Sequence, residues 1–275
     1  MKKFIYRFEA MSTPCELILY SQDKSLSDSA AEAVLLEAKR LEKKYNYFND
    51  DSYISSINRR HTNILDKETK TILQNAKVYY KETEGIFDIT IATIKDLYKN
   101  ETKRADLESK KETLMKFVGC EHFSIKKDKI IFDNEFTKID LGGFVKEYAV
   151  DRAVGVLKKK KITSALVNFG GDIYALGKKP DHTKFTVGIK NPDDTSRYIQ
   201  EVEIENEALT TSASYERNYT IEDKVYSHII TKEENSSKAK SVTVISNNCV
   251  QSGVYSTSLM INSELKTKLK SIVIF

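Results

Sequence analysis

Proline is scarce in this chain, three residues in 275. No Gly/Ser-rich stretch and no internal repeat stands out either. Nothing therefore marks a linker, and residues 1–275 read as a single unit with two lobes. Cysteine is equally thin: Cys15, Cys120 and Cys249, odd in number and widely spaced. That spacing excludes a zinc pattern and speaks against a disulfide framework, so the thiols are expected to be buried or half-buried. No run approaches the roughly 18 apolar residues of a membrane span. The start, Met1 to Glu9, is basic, but Arg7 and Glu9 interrupt it, so it is not expected to act as a secretory signal. The expected location is cytoplasmic if Met1 is the native start, the alternative being an exported protein whose leader was removed. An excess of one charge is missing too: 44 Lys+Arg face 40 Asp+Glu, a net +4. That balance does not imply nucleic acid or a membrane surface as partner. GxGxxG, Walker A, G-x-S-x-G and HExxH are absent, which leaves the common nucleotide and hydrolase templates unsupported.

What is present reads as α+β. Residues 4–10 and 16–20 read as strands broken at Ser12-Thr13-Pro14. A helix is expected from Ser25 to Lys44, with Ser25-x-x-Asp28 as a capping box. A second runs from about Lys67 to Thr83 and stops before Gly85. A third lies near Ser109 to Val118, followed by short strands around Phe123 and Ile130. The helix after Gly143 carries an apolar stripe, Val145, Ala149, Val150, Ala153, Val154 and Leu157. Ile162 to Phe169 reads as a buried strand, 183–230 as mostly antiparallel sheet, Val242 to Ser246 as a strand, Val250 to Ile261 as a helix, and Ser271 to Phe275 as a closing strand.

The run Asp140-Leu141-Gly142-Gly143-Phe144-Val145-Lys146 carries the most chemistry. A strand end, two glycines and a helix start bring together free amides, the positive end of a helix dipole and a mobile charge. That combination suits phosphate or diphosphate; equally, glycine pairs before helices are often only turns. Asn168-Phe169-Gly170-Gly171-Asp172 repeats the pattern, with Asn168 and Asp172 suited to a sugar hydroxyl or heterocycle edge, or else to a plain bend. Gly85-Ile86-Phe87-Asp88 places an acid after a helix end, a ribose contact or a cap. Tyr215, Arg217 and His228 are candidates for a phosphate or a stacked ring, on a hairpin turning at Glu222-Asp223-Lys224.

Taken in order, these motifs, with Met11-Ser12-Thr13-Pro14 ahead of them and Ser256-Thr257 behind, resemble the ApbE family of FAD:protein FMN transferases over about residues 4–262. The resemblance implies a two-lobed, T-fold-related α+β fold, with mixed or antiparallel sheets, flanking helices and a flavin cleft between the lobes. It implies transfer of FMN from FAD to a Thr or Ser hydroxyl of a partner flavoprotein, release of AMP, and assistance by Mg2+. Met11, Ile86, Phe87 and Asp88 match FAD contacts. Asp140 and Lys146 match residues beside the flavin and its diphosphate, and Phe48 stands where many members keep a stacking Tyr. His228 matches a position near the attacking hydroxyl, so Lys146 and His228 are the expected catalytic pair. A carbonyl matching Gly143, an Asp and a Thr hold the family's metal.

Three departures fall near the phosphate and metal end. The family's Asp-x-x-x-Thr is here Gly253-Val254-Tyr255-Ser256-Thr257, which keeps Thr257 and loses the carboxylate. The usual Gly after the lysine is Glu147, which offers a carboxylate from across the corner. The segment after His-Ile-Ile is Thr231-Lys232-Glu233-Glu234-Asn235. The expected metal site, Gly143 and Thr257, is thus a weak one for Mg2+. The alternative reading is an FAD-binding carrier or sensor without transfer activity, or an FAD pyrophosphatase. A monomer or a homodimer is expected.

Overall fold

Apolar alternation with a period of two builds a seven-stranded antiparallel sheet and three two-stranded ones, seen in a computed structural model that describes residues 1–213, 218–227, 230 and 237–275. Its strands are β1 (Lys2–Ala10), β2 (Thr13–Ser21), a hairpin β3 (Phe123–Lys126) and β4 (Lys129–Phe132), β5 (Ala165–Phe169), β6 (Asp172–Leu176), β7 (Phe185–Asn191), β8 (Asp194–Ile204), β9 (Glu207–Ala213), β10 (Asn218–Ile221), β11 (Lys224–Ser227), β12 (Ser241–Ser246) and β13 (Lys270–Ile274). Helices are α1 (Lys24–Tyr45), α2 (Tyr53–Asn58), α3 (Lys67–Glu82), the single turns α4 (Ala92–Lys95) and α5 (Leu97–Asn100), α6 (Arg104–Met115), α7 (Gly142–Lys159) and α8 (Cys249–Ile261). Seven strands form the main sheet in the order β1-β2-β5-β6-β9-β12-β13, every neighbouring pair antiparallel. The sheet is therefore antiparallel rather than mixed.

Parity assigns the two faces. Ala165, Val167 and Phe169 of β5, and Tyr174 and Leu176 of β6, join the core under α1 and α7. Ile173 and Ala175, one step out of phase, pack with Phe185, Val187 and Ile189 of the β7–β8 hairpin on the opposite face. Asp172 shares the parity of Tyr174, so β6 aims a carboxylate at α7. Helix α8 lies on β9 and β12 through Val242, Val244, Leu259 and Met260. Hydroxyls also bridge that seam, Thr210 Oγ1 to Ser252 Oγ at 2.9 Å and Ser212 Oγ to Ser256 Oγ at 2.8 Å.

Local signals set the helix starts, with some displacement from expectation. Helix α1 begins with Asp23, whose carboxylate accepts from Ser25 N at 2.8 Å, so the Ser25 capping box is not the start used. Helix α6 begins five residues before the expected Ser109, because Leu107 is the residue it buries fully. The short α2 was not anticipated. Ser52 caps it, and Asn58 at its end bonds both the N–H and the C=O of Ile139 at 2.8 Å, which pins the chain entering α7. The three thiols are buried, as expected. Tyr215, Arg217, His228 and the 231–235 departure lie outside the described residues.

One ion-pair group couples the helices. Glu68 of α3 takes Arg40 and Lys44 of α1, both at 2.7 Å. Burial pushes the Glu68 carboxyl up, but the two cations outweigh it and hold it at about 2, against an ordinary 4.5. A depressed carboxylate stabilises above its unfolded pKa and loses that contribution as pH falls through the folded value. Glu68→Gln is expected to lower stability by about 1 kcal/mol at pH 7, after discounting for partial solvent screening. The deficit should shrink below pH 4.5 and vanish near pH 2, as urea midpoints of the two proteins at stepped pH would reveal.

Candidate functional site

A cleft of about 680 Å3 opens where the N-terminus of α7, the start of β6, the end of β9 and the C-terminal half of α8 converge. Its other wall is made by the β1–β2 turn, the end of α1 and the 84–91 loop. That volume lies within the usual range for small-molecule sites. Met11, Phe48, Ile86, Phe87, Asp88, Asp140, Lys146, Gly170 and Asp172 all line it, as do Gly143 and Thr257. Residues up to 246 positions apart in the chain are thus brought to one place. Asn168 and Gly171 stand outside the lining; the Asn168 amide oxygen accepts from Gly171 N at 2.8 Å and shapes the bend below it.

The β1–β2 turn projects into the cleft through left-handed backbone at two non-glycine residues, Met11 (φ 54°) and Ser12 (φ 57°). Such residues are strained by about 1–2 kcal/mol each. Here the turn is tied down: Met11 N donates to Glu42 Oε1 at 2.8 Å, and Gly170 N donates to Pro14 O at 3.0 Å. A Cβ on Gly170 (φ +61°) would overlap Thr13 Oγ1 and sit 3.0 Å from Thr13 Cβ, so the second glycine pair earns its place by letting the β5–β6 bend close on this turn.

At the start of α7 the supply of amides is narrower than the sequence suggested. Asp140 Oδ1 accepts from Gly142 N at 2.8 Å, while Phe144 N and Val145 N donate to Leu141 O. The Gly143 N–H is the one of this group without an acceptor among the described residues. Asp140 also forms an ion pair with Lys95, and Lys95 lies over the Phe48 ring at 4.9 Å and the Tyr47 ring at 5.4 Å. Phe48 itself is 61% exposed at the rim. Lys95 and Tyr47 carry no motif, and Lys95 reaches Asp140 across 45 positions, so nothing in the sequence flagged them. Asp88 lines the cleft but uses Oδ1 as a cap, accepting from Thr90 N at 2.8 Å and Thr90 Oγ1 at 2.6 Å.

A second charged group lines the cleft. Lys146 Nζ lies 2.6 Å from Asp172 Oδ2, whose side chain is 2% exposed. Asp172 is therefore a buried ion-pair partner, not a turn residue. Beside it, Glu147 is buried on the cleft wall, and its Oε2 finds no partner among the described residues. Burial, and then the negative charge of Asp172, push the Glu147 carboxyl well above the usual carboxylate range. The corner thus holds two acids and one lysine, with Lys146 balancing Asp172 and the buried Glu147 favouring its protonated form unless a further cation meets it. No group of three or more His, Cys, Asp or Glu side chains arranged for a metal occurs among the described residues. One helical turn on, Asp151 accepts from Cys249 N at 2.7 Å and Val250 N at 3.1 Å, so α7 caps α8 and fixes the register between them. Burial raises Asp151 to about 6, against the pull of those amides.

The family model described as "ApbE family" matches residues 11–270. The chain is 29% identical over 264 residues to a Vibrio cholerae protein named FAD:protein FMN transferase, covering 90% of this chain and 78% of that one. It is 24% identical over 276 residues to a Klebsiella pneumoniae protein of the same name, covering 93% and 82%. Among solved structures, the ApbE protein of Thermotoga maritima superposes with a TM-score of 0.85 at 25% identity, over 94% of this chain and 87% of that one. The Vibrio cholerae flavin transferase ApbE superposes at 0.81 and 20% identity, covering 99% and 97%, a likeness of fold. No helix among the described residues is long and apolar enough to cross a membrane.

Proposed function

The chain belongs to the ApbE family, and from that premise we propose that it moves the FMN half of FAD onto a Thr or Ser hydroxyl of a partner flavoprotein. The hydroxyl oxygen attacks the FMN-side phosphorus, a P–O bond of the phosphoester forms, the diphosphate P–O bond breaks, and AMP leaves with the electron pair. The observation that carries the reading is that Met11, Phe48, Ile86, Phe87, Asp88, Asp140, Lys146 and Asp172 line one cleft, which sets apolar and aromatic side chains beside charged ones.

The apolar and aromatic lining side chains Met11, Ile86, Phe87 and Phe48 suit an isoalloxazine. The Gly143 N–H and Lys146, both on the cleft lining, are assigned to diphosphate oxygens. For Lys146 this means sharing its charge between Asp172 and the substrate, and that ion pair pre-sets its position. His228 is assigned to the proton of the attacking hydroxyl, and Tyr215 and Arg217 to the phosphates; these assignments rest on the motif order. A divalent cation also fits a cleft lined by Gly143, Thr257 and Glu147, whose Oε2 has no partner among the described residues. Bound there, it would neutralise charge building on the diphosphate.

Incubating the protein with FAD, Mg2+ and an acceptor flavoprotein should give flavin fluorescence that survives a denaturing gel, together with one AMP per flavin attached. Changing the acceptor Thr or Ser to Ala should abolish the fluorescence. FMN and AMP formed at the same rate without acceptor would identify a pyrophosphatase instead. Flavin bound tightly, with no AMP under Mg2+ or Mn2+, would leave a carrier.

A further inference from the structure

Helix α8 has a hole in its side, and Glu147 fills it. A Cβ built on Gly253 would lie 2.5 Å from Glu147 Cγ and 3.0 Å from both Cδ and Oε1. The Glu147 side chain thus occupies the volume that any residue but glycine at 253 would claim. It arrives there from α7, held in register by the Asp151 cap on Cys249 and Val250. Its carboxylate lies on the cleft wall with Lys146, Gly143 and Thr257. The residue is 6% exposed, and Oε2 has no hydrogen-bond partner among the described residues. A buried carboxylate oxygen left without a donor is costly, so the group either keeps a proton or meets a cation. The adjacent cation, Lys146, is turned to Asp172 at 2.6 Å.

Resting on the transferase reading above, we propose that Glu147 is the carboxylate ligand of a divalent cation at the diphosphate end of the cleft, with Gly253 the space that admits it. Gly253 and Glu147 then form one unit: the acidic group that α8 does not carry is delivered across the interface by α7. Mg2+ is commonly held by one or two carboxylates with the remaining positions filled by water and substrate phosphates, so the lack of a three-acid cluster does not stand against it. Thr257, one turn along α8 from Gly253, places its hydroxyl on the same wall, 3.3 Å from Ser212 Oγ. A structural role alone, a Glu wedge that merely packs α7 against α8, would need the side chain's shape but not its charge. That difference is what the test exploits.

Mn2+ is the probe, titrated by the loss of its free electron paramagnetic resonance signal, with ADP present to supply a diphosphate that cannot be transferred. The parent should bind one Mn2+ per chain. Glu147→Gln keeps the volume and removes the charge; it should weaken Mn2+ binding at least tenfold while its thermal midpoint stays close to the parent's. The relocated pair Glu147→Gly with Gly253→Asp should recover Mn2+ binding to within a few fold. Gln at 147 binding Mn2+ as tightly as the parent, or a parent that takes up no Mn2+ with ADP, overturns the assignment. Flavin fluorescence quenching on the same samples separates the two levels: FAD bound without Mn2+ sinks the ligand assignment alone, whereas no FAD bound sinks the transferase reading.

Discussion

Lys146→Met should cost the protein about 2–4 kcal/mol of stability and lower FMN transfer by about 100- to 1000-fold. The two losses have different causes. The first comes from Asp172, which is 2% exposed and lies 2.6 Å from the lysine nitrogen. Removing one partner of a buried pair leaves the other carboxylate desolvated without that cation, and such deletions typically cost about 3–5 kcal/mol. Lys146 is 28% exposed, so water offsets part of this and the expectation is set lower. The second comes from losing a positive charge beside the diphosphate as its P–O bond breaks, where single electrostatic groups supply about 3–4 kcal/mol. A second variant separates the causes. Lys146→Met with Asp172→Leu removes both charges and should regain most of the stability, but none of the transfer. Urea unfolding of the parent and both variants, read beside the gel assay, decides the matter. A single variant as stable as the parent would mean that the pair contributes nothing in solution.

Gly253→Ala is the second large effect, and it sets helix propensity against packing. In an exposed helix interior, Gly to Ala gains about 1 kcal/mol. At 253 the new methyl would sit 2.5 Å from Glu147 Cγ, in a buried seam where the side chain has little room to retreat. Overpacking of this kind costs about 1–3 kcal/mol. The clash should therefore win, with a net loss of about 1–2 kcal/mol. The sign should reverse when Glu147 is shortened: in a Glu147→Ala background, Gly253→Ala should stabilise. The coupling in that double-mutant cycle is expected at about 1–3 kcal/mol, the size seen for residues in direct contact. Additive changes would show that the two residues do not share the space, and the metal assignment to Glu147 would lose its geometric basis. The same contact bears on what Gly253 means. Read as a lost carboxylate, it argues for a carrier without activity; filled by Glu147, it argues for an acid that changed helices.

Much of the architecture was open to reading along the chain, because periodicity is local information. The apolar stripe of α7, the alternation of β5 and the turn at Gly170-Gly171 each depend on residues within a few positions of one another. The order of motifs that marks the family spans the whole chain, but it too is read directly from the sequence. The outcome at α1, where Asp23 rather than Ser25 caps the helix, is a local competition that pattern alone does not resolve. The sheet's fully antiparallel pairing and the β7–β8 hairpin on its far face needed the strands to be laid side by side.

The charged groups of the cleft are different in kind. Asp172 pairs with Lys146 because strand parity turns it toward α7, and Lys95 reaches Asp140 from a separate helical turn. Asp140 and the Leu141 carbonyl use up all but one of the amides that the glycine pair promised. The sequence by itself determined most of the elements and the family, since those follow from local periodicity and from the order of motifs along the chain. Only the packing of α7 on α8 decided which groups stay available at the cleft, and that Glu147 stands in the space of residue 253. Distances between side chains far apart in the chain follow from how whole elements dock, a sum of many weak contacts that no single stretch of residues encodes.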